Sequence, residues 1–201
     1  MSSITNGTPT DQFLPSERER FLTYDQQEMI QKLGLKADGQ RILIRFFSQD
    51  YVLQRSSALV FTGDHLASPE EARIIYAYLT YSSKMPSQTG EWLATAKVCP
   101  QVNLSSYAKE LACFEGNLSA LKEACHHLSG DPSSSGDVSF LFTVFPGLPV
   151  WFQYWDKEDE FDSDLQLLWD SSVTEFLPPD AITAVIEYLI HRLLTEGGFA
   201  S

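Results

Sequence analysis

Cysteine, basic residues and long apolar runs are all scarce in this chain of 201 residues. The three cysteines, Cys99, Cys113 and Cys125, are odd in number and widely spaced, which excludes a disulfide framework; no CxxC pair exists to hold zinc or a cluster. Lys and Arg total 14 against 27 Asp and Glu, a formal net charge of -13. A surface this acidic repels phosphate backbones, so neither nucleic acid nor an anionic membrane is expected as a partner, while cations and basic proteins are favoured. No stretch approaches the roughly 18–20 apolar residues that cross a bilayer. The first twenty residues hold no continuous apolar run of the kind a secretory signal needs. A soluble, cytoplasmic protein is therefore expected. The signatures of several enzyme classes are missing as well: there is no GxSxG elbow, no phosphate-binding glycine loop and no EF-hand pattern.

What the chain has is apolar mass. A hydrophobic content of 43%, with 12% aromatic residues, suffices for a substantial core. Residues 1–14, rich in Ser, Thr, Asn, Gly and Pro, read as a loose tail ahead of a single domain over residues 15–201. Ser16-Glu17-Arg18-Glu19 has capping-box spacing for a helix running toward Leu33, with Asp25 as an interruption. Arg41–Phe47, Tyr51–Arg55 and Ala58–Phe61 read as strands, with Ser48-Gln49-Asp50 as a turn. Ser68-Pro69-Glu70-Glu71 starts a helix ending near Tyr81. Further helical periods run over Leu104–Leu111 and Leu118–Leu128, and a last helix follows Pro178-Pro179. Because the strands cluster instead of alternating with helices, the expected class is α+β. An antiparallel, or partly mixed, sheet would draw on two strand groups, around residues 41–61 and 138–169, packed against several helices. Whether the groups form one sheet or two is not readable from the pattern.

The most informative stretch is Asp137–Asp170. An alternating strand, Val138–Phe145, turns at Pro146-Gly147 into Val150–Trp155; an acid-rich link then leads to Leu165–Asp170. Trp151, Trp155 and Trp169, with Tyr154, are the candidate ligand-binding residues. On a strand, Trp151 and Trp155 share one face with Gln153 between them, and Phe152 and Tyr154 share the other. One face must be core; the other is available as a platform for a flat ligand or a partner. Asp156, Glu158, Asp159, Glu160 and Asp162, with Asp164 beyond them, are the candidate metal ligands, because crowded carboxylates are relieved by a hard divalent cation such as Ca²⁺ or Mg²⁺. The same acids also suit an ordinary solvated hairpin, and the aromatics an ordinary core.

Other groupings carry less. Cys113, Cys125, His126 and His127 offer soft ligands, yet Cys125 falls on the apolar stripe of its helix with Leu121 and Leu128 and reads as a core thiol. Ser106 with Lys109, and Ser119 with Lys122, have SxxK spacing without its companion motifs. His191 with Glu187 reads as a surface pair. His65 follows a Gly-Asp turn, and nothing further marks it.

Gly136-Asp137, Phe145-Pro146-Gly147-Leu148-Pro149, Trp155–Phe161 and Leu168-Trp169-Asp170-Ser171-Ser172 together resemble a domain-of-unknown-function family of anaerobic bacteria and archaea. Members are often labelled iron–sulfur cluster-binding proteins. The resemblance runs from about Phe13 onward and is specific after Gly136. It implies an accessory protein of anaerobic metabolism, linked to corrinoid or one-carbon proteins. The cluster itself is not implied here, since the cysteine-rich N-terminal segment of some members has no counterpart before Cys99. Three readings follow. The first is a non-catalytic binding protein whose small-molecule or protein ligand meets the tryptophan-bearing strands and the acidic link. The second is a metal-dependent hydrolase using those carboxylates with His65 or His127. The third is a scaffold that docks a basic partner.

Overall fold

The structure, a computed structural model, describes residues 15–158 and 161–199. The expected tail, residues 1–14, lies outside the described residues. Helix α1 spans Pro15–Thr23, so Ser16 sits inside the helix instead of ahead of it. Asp25 does interrupt, by capping: its carboxylate accepts from the backbone N–H groups of Gln27 and Glu28 and opens α2, Gln26–Leu33.

Among the described residues two antiparallel sheets follow, each of five strands. The first is a meander of β1 (Lys36–Asp38), β2 (Arg41–Phe46), β3 (Gln49–Gln54), β4 (Val60–Thr62) and β5 (His65–Leu66), paired in that order. In β2, Ile42, Ile44 and Phe46 point inward, as the period of two requires. The β2–β3 turn is tighter than expected. Phe46 pairs with Gln49, leaving only Phe47 and Ser48 to reverse the chain. Phe47 adopts φ +48°, an unusual choice for a bulky residue. Tertiary packing explains it: the Phe47 ring lies against Phe46, Phe142 and Tyr188, and its N–H donates to the Val144 carbonyl at 2.9 Å. Ala58, also at positive φ, falls before β4 instead of inside it.

Helix α3, Pro69–Tyr81, begins with the expected reciprocal box: Ser68 Oγ accepts from Glu71 N–H, and Glu71 accepts from Ser68 N–H. After β6 (Trp92–Ala94) and the short α4 (Thr95–Val98) come α5 (Leu104–Leu111), a single tight turn at Ala112–Phe114, and α6 (Leu118–His127). Gly116, at φ +70°, separates the last two helices.

The second sheet has the order β6-β10-β9-β8-β7, with β7 at Asp131–Pro132, β8 at Val138–Phe145, β9 at Leu148–Trp155 and β10 at Asp164–Asp170. Helix α7, Pro179–Glu196, packs against α3, α5 and α6. The two strand groups thus form two sheets, joined by aromatic contacts. Phe145 of β8 stacks on Tyr78 of α3 at 3.9 Å between ring centroids and meets Phe46 of β2 at 5.2 Å; Phe46 meets Tyr188 of α7 at 4.9 Å. The buried residues of both sheets and of the helices form one contiguous core. Each such ring contributes about 1.5–3 kcal/mol through burial. Among the described residues, no helix is long and apolar enough to cross a membrane.

Candidate functional site

The β9–β10 hairpin sets the geometry. Trp155 pairs with Asp164, so the acidic link leaves the sheet as a loop of eight residues, 156–163. Within it, Glu158 and Phe161 exchange backbone hydrogen bonds at 3.0 and 3.1 Å and close a tight turn. Asp159 and Glu160, two of the candidate metal ligands, lie outside the described residues.

The sides of the loop are organised by hydrogen bonds from distant segments. Asp156 Oδ2 accepts from the Gly116 N–H at 3.1 Å, and Asp156 N–H donates to Asp137 Oδ2 at 2.8 Å. Ser163 donates to Glu115 at 3.0 Å. These bonds draw together the end of α5, the Gly116 turn, the start of β8 and the hairpin. Between them runs an open groove of about 800 Å³. Glu115, Asp137, Asp156, Glu158, Asp162 and Asp164 line it, against a single cation among the described residues, Lys109. Among the described residues, no ion pair neutralises any of the six. Glu158, Asp162 and Asp164 make no side-chain hydrogen bond there either. Trp155 forms one wall, half-buried, and Phe161 stands 69% exposed at the rim. Gly136 makes the wall close-fitting. At φ +69°, a side chain there would begin 2.9 Å from the Tyr154 carbonyl and 3.2 Å from the Trp155 ring.

The Tyr154 hydroxyl lies beneath. Tyr154 is fully buried, and its hydroxyl has no hydrogen-bond partner among the described residues. Burial raises its phenol above the ordinary value; the Ser163 hydroxyl, a polar neighbour that falls short of hydrogen-bond geometry, pulls it back, and the nearby charges of Asp156 and Glu115 add to the rise. Ser163, Asp156 and Glu115 all line the groove. A buried polar atom left unpaired costs free energy.

The expected aromatic set divides between two environments. Phe152 and Tyr154 face the core; on the opposite face Trp151 and Trp155 are half-buried, and Gln153 between them is buried. Trp169, expected as a ligand contact, is instead fully buried, and its indole N–H donates to Thr95 Oγ1 at 3.1 Å. Tyr154 belongs to the core as well, so neither residue is part of an exposed aromatic platform. Trp151 is held rigid, its N–H donating to Ser139 at 2.8 Å and its ring meeting Trp92 edge-on at 5.6 Å.

The remaining candidates have structural roles. Cys125 is buried, and burial pushes its thiol well above the ordinary range. His126 packs edge-on against Phe140, and His127 lies 3.3 Å from Glu196. No group of three His, Cys, Asp or Glu side chains converges to hold a metal among the described residues.

Sequence reasoning missed Glu115, Asp137 and Lys109 as parts of the site, because only folding brings them to the hairpin. It also missed Asp170. This carboxylate, 1% exposed, accepts from the backbone N–H groups of Thr89 and Gly90 and from the hydroxyls of Thr89 and Ser172, and so holds the segment before β6 against the sheet. Burial alone would raise its pKa; the bonds from Ser172, Gly90 and Thr89 outweigh this and hold it below the ordinary carboxylate value.

A family model described as a domain of unknown function, DUF3786, matches residues 25–192. No curated protein and no solved structure matches the chain.

Proposed function

We propose that this chain, which belongs to the DUF3786 family of domains of unknown function, is a non-catalytic binding protein that takes a positively charged ligand in the acidic groove beside Trp155. One observation carries the reading: six groove carboxylates face one lysine without an ion pair among the described residues. Like charges gathered in a cleft reinforce one another's potential and attract counter-charge. The Trp155 and Phe161 rings suit a cation in addition, since aromatic faces attract ammonium and guanidinium groups. An accessory role in anaerobic, corrinoid-linked or one-carbon metabolism belongs to the proposal through the family resemblance alone.

The metal-dependent hydrolase has less support. Neither His65 nor His127 lines the groove, and the convergent ligand set such a reading needs is missing among the described residues. The test is tryptophan fluorescence at low salt, titrated separately with spermidine, Mg²⁺, Ca²⁺, Zn²⁺ and a corrinoid. Spermidine is expected to change the Trp155 signal, and the Glu158→Gln/Asp162→Asn/Asp164→Asn variant to abolish the change. A response confined to a metal ion, with a rise in melting temperature, would replace this reading with the hydrolase; silence toward every probe would end both.

A further inference from the structure

A second groove, of about 710 Å³, opens beside the first sheet and has no residue in common with the acidic one. Its walls are mainly apolar and come from remote segments: Leu35 just before β1, Leu43 of β2, Val52 of β3, Met85 and Pro86 of the link after α3, and Pro146 of the β8–β9 turn. The register sets Lys36, Leu43 and Val52 side by side across β1, β2 and β3. Two glycines let the link lie close. A side chain on Gly34 would begin 2.9 Å from the Met85 sulfur, and one on Gly147 would begin 2.7 Å from the Pro86 carbonyl oxygen; both positions have positive φ. Met85 and Leu43 are nonetheless 61% and 41% exposed, and neither belongs to the core. Large apolar side chains left open together in a cleft of this size mark a ligand site.

The polar groups of this groove decide the ligand's head. The Arg45 guanidinium is paired with Asp50 at 2.8 Å, and the Tyr51 hydroxyl is engaged with Glu71 and Gln49. Lys36 makes no ion pair and no side-chain hydrogen bond among the described residues. Tyr78, 1% exposed and stacked on Phe145, lines the groove, and its hydroxyl has no hydrogen-bond partner among the described residues. Unlike the hydroxyl of Tyr154 it is not sealed in the core, so it opens to the groove. Burial pushes its phenol above the ordinary value, which keeps the hydroxyl a donor at neutral pH.

We infer that this second groove binds a small amphipathic carboxylate, an unbranched apolar chain with one anionic head. The chain lies against Leu43, Val52, Met85 and Pro86, where its burial supplies the binding energy. Lys36 supplies the counter-charge, and Tyr78 a neutral donor in the groove wall. A carboxylate, which only accepts hydrogen bonds, suits both donors, whereas an ammonium head suits neither. With Arg45 and Asp50 cancelling each other, the groove is locally cationic on a chain of net charge -13, so an anion is drawn here and repelled elsewhere. Met85 suits a chain of variable shape, because its flexible thioether adapts to what it covers.

The test is isothermal titration, at physiological salt, of decanoate and of decyltrimethylammonium, each kept below the concentration at which it forms micelles. The two share an unbranched apolar chain and differ in the sign of the head. Decanoate is expected to bind at one site about ten-fold tighter, since attraction of one head to Lys36 and repulsion of the other each change affinity by about three-fold. Lys36→Met, which keeps an apolar stem, should remove most of that preference. Tyr78→Phe should lower decanoate affinity by about three-fold and spare the ammonium, and Leu43→Ser should weaken both; melting temperatures confirm that each variant is folded. The inference is overturned by the absence of saturable decanoate binding, by equal binding of the two probes, by a preference unchanged in Lys36→Met, or by a decanoate affinity unchanged in Tyr78→Phe. A dimer in sedimentation velocity that Leu43→Ser dissociates and decanoate does not would also overturn it, by assigning the groove to a second copy of the chain. None of these outcomes bears on the acidic groove, which stands or falls by its own titrations.

Discussion

Replacing Tyr154 by Phe should make the protein more stable and leave cation binding in the groove unchanged. The Tyr154 hydroxyl is fully buried beside the groove and has no partner among the described residues. Leaving a buried hydroxyl unpaired costs about 1–3 kcal/mol, and its deletion recovers that. The oxygen leaves a void of roughly 10 Å³, worth only about 0.2 kcal/mol at the usual cavity coefficient. The ring keeps its place under β9, where it packs as core. The net expectation is a gain of about 1–2 kcal/mol, or a rise of roughly 2–8 °C in melting temperature for a chain of this size. Calorimetric melting of both proteins at neutral pH measures it. In the same pair, spermidine affinity should be unchanged, because Tyr154 is fully buried and does not line the groove. A melting temperature that drops by several degrees would show that the hydroxyl is already satisfied within the apo protein.

Other consequences are as direct. Asp170→Ala strands three backbone N–H groups, of Thr89, Gly90 and Ser172, and two hydroxyls, and should cost about 3–5 kcal/mol in chemical denaturation. Because the folded-state pKa of Asp170 is depressed, its contribution is present above the unfolded carboxylate value and is lost as pH falls through the lower folded one. Wild-type stability should therefore decline on the acid side of pH 4, and Asp170→Asn should flatten that decline in urea titrations repeated across pH. Glu71→Gln weakens the α3 capping box and the 2.8 Å bond from Tyr51, for an expected loss of about 1–3 kcal/mol by thermal melting. Gly136→Ala forces a side chain into a left-handed position against Tyr154 and Trp155; about 1–3 kcal/mol should be lost, and Trp155 emission should shift as its packing changes.

Much of the framework was legible because period and capping act locally. The alternation of β2 and β8, the Ser68–Glu71 box and the α7 stripe each need only a few neighbouring residues to be recognised. The edge strands β1, β5, β6 and β7 were not legible. They are two or three residues long, and pairing alone defines them. The β2–β3 turn was misplaced for a related reason. Turn chemistry favours Ser48-Gln49-Asp50, but a long-range bond to Val144 and burial among three rings hold Phe47 in the turn. On β9 the period of two paired Trp151 with Trp155 correctly, yet could not say which face meets the core. That depends on where the helices pack, and it decided the fate of Tyr154. Trp169 likewise turned inward with the alternation of β10, toward Thr95, a residue far away in sequence. The site was legible only as half of an acidic loop; Glu115 and Asp137 reach it through hydrogen bonds between remote segments.

Isothermal titration of spermidine into the wild-type protein and into Glu158→Gln/Asp162→Asn/Asp164→Asn, at low and at physiological salt, decides whether the groove binds cations. The groove account predicts a single site in the wild type that weakens as salt rises and disappears in the variant, with the melting temperature of the unliganded variant at or above the wild-type value, since like-charge repulsion has been relieved. Equal heats from both proteins would place cation binding elsewhere on an acidic surface and contradict the account.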